Sequence, residues 1–180
     1  MSSSEKVSGG HVIWITGLSG AGKTTLARAL LQKLPEAILL DGDELREALG
    51  TANSGFDTKS RKKLALTYAR LAGLLARQGK TVIVATISLF HEIHTWNRAT
   101  LPGYVEIFLE ASEQVRRNRD PKGLYAAMEQ GKMSQMAGQD TIVDIPCSPD
   151  LVLNTEKLPL QYCIEVLYAY LKRKKAHDIE

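Results

Sequence analysis

Apolar residues in this 180-residue chain follow two alternating patterns. Some form short unbroken runs, and others recur every three or four positions over longer stretches. The runs His11-Val12-Ile13-Trp14-Ile15-Thr16, Ala37-Ile38-Leu39-Leu40, residues 81–87 and residues 105–109 are bounded by turn residues and predict strands buried on both faces. Leu151-Val152-Leu153 predicts a short fifth strand. Between the runs the period becomes helical. In residues 61–78, Leu64, Tyr68, Leu71 and Leu75 recur at i, i+4, i+7 and i+11, and Gly79 supplies the stop. Residues 25–31, 44–49, 113–119 and 160–172 predict further helices, with Asp43 as the cap of the second.

Strands separated by helices imply a parallel sheet, because each parallel pair needs a crossover connection that a helix can span. The prediction is an α/β fold: a five-stranded parallel sheet with helices on both faces, making three layers. It covers one domain over residues 11–175, preceded by a polar Ser/Gly-rich leader over residues 1–10 and followed by a tail at 176–180. Ligands of such sheets bind beyond the carboxyl ends of the strands. That rule gathers residues 17–24, 41–43, 88–94 and the segment after Glu110 around one crevice.

Composition narrows the class. Hydrophobic residues make up 44% and charged residues 24%, as in soluble globular proteins. A net charge of +3 is too small to argue for nucleic acid but suits polyanionic small substrates. Cys147 and Cys163 have no metal-like spacing and read as reduced thiols of a cytoplasmic protein. No apolar run approaches the ~18 residues of a membrane span.

The chemistry concentrates in Gly17-Leu18-Ser19-Gly20-Ala21-Gly22-Lys23-Thr24, a G-x-x-x-x-G-K-[ST] sequence with a strand before it and a helix after it. Glycines let the backbone turn its N–H groups inward toward phosphate, and the helix adds its positive end. Lys23 is placed to reach the β- and γ-phosphates, and the Thr24 hydroxyl to ligate Mg²⁺. The fold is therefore expected to be of the P-loop NTPase type, with Gly17, Ser19, Gly20, Ala21, Gly22, Lys23, Thr24 and Thr25 holding ATP. Asp41-Gly42-Asp43 ends the second strand facing this loop. One carboxylate there can order Mg²⁺, and the other can take a proton from an attacking hydroxyl. The third strand carries no acid at its end, which increases the weight on these two. Arg116, Arg117, Arg119 and Lys122 surround Asp120-Pro121, a basic, turn-rich segment suited to a lid that excludes water.

Together these residues resemble the adenylylsulfate kinase family from about residue 11 to 155. The matching pieces are the phosphate loop, Leu40-Asp41-Gly42-Asp43 with Leu45-Arg46, Gly55-Phe56, Ile87-Ser88, Arg119-Asp120-Pro121-Lys122-Gly123-Leu124-Tyr125, Gly138-Gln139-Asp140 and residues 149–155. The resemblance implies transfer of the ATP γ-phosphoryl group to the 3′-hydroxyl of a nucleotide conjugate, with Mg²⁺, in a homodimer. It makes Asp43, Lys23 and Lys122 catalytic, Thr24 and Asp41 metal ligands, and Arg119 a neighbour of ATP. On the acceptor side it places Asp41, Asp43, Arg46, Phe56, Arg61, Ile87, Ser88, His91, Lys122 and Leu124, with Phe56 stacking on the base.

The departures from the family pattern also lie on the acceptor side. Leu64, Leu66 and Thr67 stand where members carry Asn and Arg, and His91 and His94 stand at two further Arg places. Met136-Ala137-Gly138 replaces an aromatic clamp. Arg is a bidentate, permanently charged partner for sulfate, and His at neutral pH is not. Either residues such as Arg98 and Lys63 substitute, or the acceptor differs from adenylylsulfate. Ser88-Leu89-Phe90-His91-Glu92 and Trp96-Asn97-Arg98 resemble a branch of the family whose acceptor is cytidine diphosphoramidate, used in surface-polysaccharide modification. A reading of another class, a catalytically silent nucleotide-binding module, would be favoured by loss of Lys23, Thr24 or Asp43, and all three are present.

Overall fold

The strands that apolar runs predict assemble into one parallel sheet in the computed structural model, which describes residues 10–51, 57–120, 123–131, 137, 138 and 142–177. The strands are β1 (Val12–Thr16), β2 (Ile38–Asp41), β3 (Val82–Ala85), β4 (Val105–Glu110) and β5 (Leu151–Asn154), in the spatial order β2-β3-β1-β4-β5. The helices are α1 (Lys23–Lys33), α2 (Gly42–Ala48), α3 (Thr58–Ala76), α4 (His91–Thr100), α5 (Glu113–Arg119), α6 (Leu124–Glu129) and α7 (Leu160–His177).

Strand alternation divides the core in two. Ile13, Ile15, Ile83, Ala85 and Ile107 pack with Leu26 and Leu30 of α1 and Ile164 and Leu167 of α7. Val12, Trp14, Val82 and Val84 point the other way, toward Leu64, Tyr68 and Ala72 of α3 and Ile93 of α4. β1 and β3 are thus apolar and buried on both faces, which is why their runs are unbroken rather than alternating. Burial of each large apolar side chain contributes about 1.5–3 kcal/mol.

Several boundaries differ from those the sequence predicts. β3 stops at Ala85, not at residue 87, because the next residues turn away from β2 and bond to β1. There Thr86 N–H donates to the Ile15 carbonyl (3.1 Å), and the Thr16 hydroxyl donates to the Ile87 carbonyl. α2 starts at Gly42 and its cap is Asp41, whose carboxylate accepts from Asp43 N–H at 3.0 Å, so the expected cap at Asp43 is displaced by two residues. α3 starts earlier than residue 61, because Asp57 caps it by accepting from Ser60 N–H at 3.0 Å. α4 and α6 were not predicted.

At the end of the sheet away from the strands' carboxyl termini, a polar cluster ties β4, β5, α4 and α7 together. Glu106, only 2% exposed, accepts from the Tyr104 hydroxyl (2.9 Å) and pairs with Arg98 (3.3 Å). Arg98 also meets Asp150 (3.3 Å) and the Ser148 carbonyl (3.0 Å). Burial opposes ionisation of Asp150, yet Glu106 N–H, the Tyr170 hydroxyl, Lys174 and Arg98 outweigh it and hold this carboxyl below the usual range.

Candidate active site

The turn between β1 and α1 needs backbone that only glycine adopts cheaply. Gly20 (φ +79°) lies so close to Arg116 that a Cβ would sit 2.7 Å from its carbonyl oxygen. Gly22 (φ +95°) is the N-cap of α1 and brings no capping side chain, so none competes with a ligand for the first N–H groups of the helix. Lys23 bridges the turn by donating to the Leu18 carbonyl at 2.9 Å.

Parallel pairing puts the end of β2 near this turn, with β3 between β2 and β1. Asp41 is 4% exposed, and its second carboxylate oxygen accepts from the Thr24 hydroxyl at 2.7 Å. Asp43, one helical position beyond Gly42, is exposed and faces the same space. That space is a cavity of about 520 Å³ beyond the carboxyl ends of the strands. Its walls bring together Ser19, Gly20, Gly22, Lys23, Thr24, Thr25, Asp41, Asp43, Arg46, Arg61, Ile87, Ser88, Arg119 and Leu124. Gly17 and Ala21 stay behind the loop, and Phe56 and Lys122 lie outside the described residues.

The cavity wall also includes residues beyond those expected at the site, some of them at places where the chain departs from the family pattern. Leu64, Ala65 and Tyr68 of α3, Leu89, Phe90, Ala137, Ile142 and Val143 complete it. The Tyr68 hydroxyl donates to the Gly42 carbonyl at 3.2 Å, and burial raises its pKa to about 12, Arg46 opposing. The helical period of residues 61–78 carried the signal for Tyr68, since the apolar face of α3 runs from the core into the cavity. For Ile142 and Val143 the signal was their place in the segment that stands where the family carries S-P-Y-E.

His91, expected on the acceptor side, is not part of the wall. Its N–H donates to the Asp144 carboxylate (3.0 Å), which supplies the cap that Phe90 lacks at the start of α4. The ring then meets the Ile145 carbonyl (2.9 Å) and lies 3.4 Å from Cys147 Sγ. Arg98 does not substitute at the cavity either, being held by Glu106 and Asp150 at the opposite end of the sheet.

Arg119 donates to the Gly20 carbonyl (3.3 Å) and the Thr155 carbonyl (2.7 Å), while the Thr155 hydroxyl donates to the Ala21 carbonyl (2.9 Å). These bonds join the phosphate loop to a second cavity of about 510 Å³, formed with Thr25, Leu26 and residues 155–160. In the predicted lid, Asp120 accepts from the N–H groups of Leu124 (2.8 Å), Tyr125 (3.1 Å) and Ala126 (3.2 Å), starting α6. Tyr125 is 2% exposed and reaches the Ser19 carbonyl (3.4 Å), with the Arg116 guanidinium donating to its hydroxyl. Among the described residues no three His, Cys, Asp or Glu side chains gather around a metal position, and no helix is long and apolar enough to cross a membrane.

A parallel sheet in this order, a glycine turn opening α1 and a Thr–Asp pair beside its lysine define a P-loop kinase fold. The chain belongs to the adenylylsulphate kinase family, whose model matches residues 9–154. It is 43% identical over 148 residues to a cytidine diphosphoramidate kinase of Campylobacter jejuni, covering 80% of this chain and 85% of that one. It is 41% identical over 167 residues to an adenylyl-sulfate kinase of Paraburkholderia xenovorans, covering 90% and 93%. Among solved structures, the Mycobacterium tuberculosis APS kinase CysC in complex with AMPPNP and APS superimposes with a TM-score of 0.84 at 32% identity, over 91% of this chain and 98% of that one.

Proposed function

We propose that this chain transfers the γ-phosphoryl group of ATP to the 3′-hydroxyl of a nucleotide conjugate, adenylylsulfate or a relative of it. The observation that carries this reading is the meeting of Lys23, the Thr24–Asp41 pair and Asp43 in one cavity. The loop N–H groups and Lys23 hold the β- and γ-phosphates, and Arg119 stands on the donor side, where the second cavity has room for the ATP base. Asp43 accepts the proton of the attacking hydroxyl as its oxygen bonds to phosphorus, and the β–γ bridging oxygen leaves with ADP. The Thr24 hydroxyl and Asp41 carboxylate are an all-oxygen donor pair that fits Mg²⁺, which keeps waters and takes its other ligands from phosphates. Bound there, Mg²⁺ neutralises phosphate charge. Arg46 and Arg61, both in the cavity wall, would hold the acceptor's phosphates, and the family resemblance gives Phe56 the role of stacking on its base and Lys122 that of a phosphate contact. With Lys23, Thr24 and Asp43 all in place, a silent binding module is the weaker reading. The assembly proposed with it is a homodimer, on the family resemblance; light scattering at twice the chain mass is the expected result.

A second reading concerns which conjugate enters. Beside Arg46, Arg61 and the Thr86 and Ser88 hydroxyls, the cavity is lined by Leu64, Ala65, Ile87, Leu89 and Phe90, with His91 and Arg98 engaged elsewhere. Sulfate would gain few charge-assisted bonds there, while a phosphoramidate, with its neutral –NH₂, needs fewer. This favours cytidine diphosphoramidate. The test is kcat/KM with both conjugates side by side, ATP saturating. A preference for cytidine diphosphoramidate of at least about tenfold is expected, one charge-assisted bond being worth about that much. A preference for adenylylsulfate removes the second reading, and turnover of neither removes the first.

A further inference from the structure

The chain leaves the sheet after β3 and enters α4 at His91, so residues 86–90 make the whole reversal, and all of them face the cavity. Ser88 takes φ +28°, the one positive φ at a non-glycine residue among those described. A side-chain-bearing residue does not hold that conformation unless its surroundings impose it. Part of the constraint is internal to the turn, where the Thr86 and Ser88 hydroxyls lie 2.9 Å apart and Phe90 N–H donates to the Ser88 carbonyl at 3.1 Å.

Neighbouring segments hold it too: Thr86 N–H donates to the Ile15 carbonyl (3.1 Å), the Thr16 hydroxyl to the Ile87 carbonyl and Asp144 N–H to the Leu89 carbonyl (3.1 Å). The constraint on Ser88 itself comes from behind. His94, one turn into α4 and 7% exposed, brings Nε2 to 3.1 Å from the same Ser88 carbonyl. A carbonyl only accepts, so Nε2 carries the proton and Nδ1 is bare. Nδ1 is buried with no hydrogen-bond partner among the described residues. A buried polar nitrogen left unmatched is costly, so the ring is kept for what its other nitrogen does. Ser88 is also 7% exposed, and water has little access to replace the bond if the ring is lost. His94 itself is not in the cavity wall.

We infer that His94 is a positioning residue for the acceptor: holding the Ser88 carbonyl from behind, it fixes the strained wall against which the acceptor docks. The inference rests on the proposed reading of this cavity as the acceptor site. The His94–Ser88 bond lies outside β1 and α1, from which the phosphate loop is built, and the Thr16–Ile87 bond that joins the turn to β1 does not involve His94, so the donor side is expected to change little.

Two variants separate positioning from general packing. His94→Leu removes the donor while keeping bulk; His94→Gln keeps an N–H at a similar reach. Amide hydrogen exchange over residues 86–90, with α3 as internal reference, reads the wall directly. KM for each substrate reads its consequence. In His94→Leu, exchange at 86–90 and acceptor KM both rise about tenfold, the loss of one buried hydrogen bond, with KM for ATP within about twofold. In His94→Gln both return to within about threefold of wild type. Should His94→Leu not fold, His94→Asn, polar but too short to reach Ser88, makes the same comparison with His94→Gln. Unchanged exchange at 86–90 without the donor overturns the inference, as does an equal defect in His94→Gln or a parallel rise in KM for ATP. A wild-type protein that turns over no nucleotide conjugate defeats the acceptor reading instead, and the exchange comparison still decides on His94.

Discussion

Asp41 and Asp43 stand two residues apart and do different work, and their hydrogen bonds separate them. Asp41 is buried and already accepts from Thr24 and from Asp43 N–H, whereas the Asp43 side chain is exposed on the cavity. Asp43→Asn should therefore leave ATP affinity within about twofold and lower kcat by about 10²–10⁴-fold, the range for a lost general base. Isothermal titration beside a steady-state assay checks it, and near-normal turnover would reassign the base. Lys23→Ala should remove both, since in the proposed mechanism this lysine holds the phosphates themselves. The loop and Lys23 were legible in the sequence because eight contiguous residues encode them, and Asp41 and Asp43 because they follow the second apolar run directly. The direction in which a ring points is not encoded locally. His91 and His94 look alike in sequence, and only the packing of α4 turns one toward Ile145 and the other toward Ser88. His94 also carries a pH signature. Burial holds its pKa below 6.5, the opposing pull of Glu106 being smaller. The unfolded chain then binds the proton more readily than the folded one, so stability is full above about pH 6.5 and falls as pH drops below it. Thermal melts should show this decline flattened in His94→Gln, and an unchanged slope would assign it to other groups.

At the scale of elements, the apolar strands, the 19-residue α3 and the seven-residue α2 and α5 were readable, and α4 and α6 were not. α6 has six residues, too few for a periodic pattern, and its start depends on the Asp120 carboxylate collecting three N–H groups. The sequence motif around Asp120 therefore has a structural half as well as the proposed chemical one. Asp120 starts the helix, and Tyr125 seats it beneath Ser19 of the phosphate loop. Losing such a cap costs about 0.5–2 kcal/mol, a large share of what holds so short a helix. Asp120→Ala should raise exchange across α6 and, as the lid loosens, increase ATP hydrolysis without acceptor several-fold. If exchange rises and the hydrolytic leak does not, α6 is no part of water exclusion.

Across the whole molecule the sheet keeps chemistry and anchorage apart. The carboxyl ends of the strands carry the cavity, and the Arg98–Glu106–Asp150 cluster locks β4 and β5 to α4 and α7 at the other end. Sequence reading offered Arg98 to the acceptor as a substitute for missing Arg residues, because the sequence of a helix says nothing about which end of the sheet it reaches. The structure gives Asn97 to Tyr104 (3.4 Å) and Arg98 to two carboxylates. Removing Arg98 leaves Glu106 almost fully buried without its cation, although the Tyr104 hydroxyl still donates to it. Breaking a fully buried ion pair costs about 3–5 kcal/mol. Arg98 is 44% exposed in its side chain, and water screens part of that loss. Arg98→Met, which keeps the aliphatic stem, should therefore destabilise by about 1–3 kcal/mol and lower Tm by several degrees. Because the cluster lies away from the cavity, KM for ATP and for the acceptor should both stay within about twofold at a temperature where the variant is folded. A rise in acceptor KM without a fall in Tm would return Arg98 to the acceptor. The double replacement Arg98→Met with Glu106→Gln should recover part of the lost Tm, since the buried charge goes with its partner. A double variant no more stable than Arg98→Met would mean that the guanidinium acts through Asp150 and Ser148 alone.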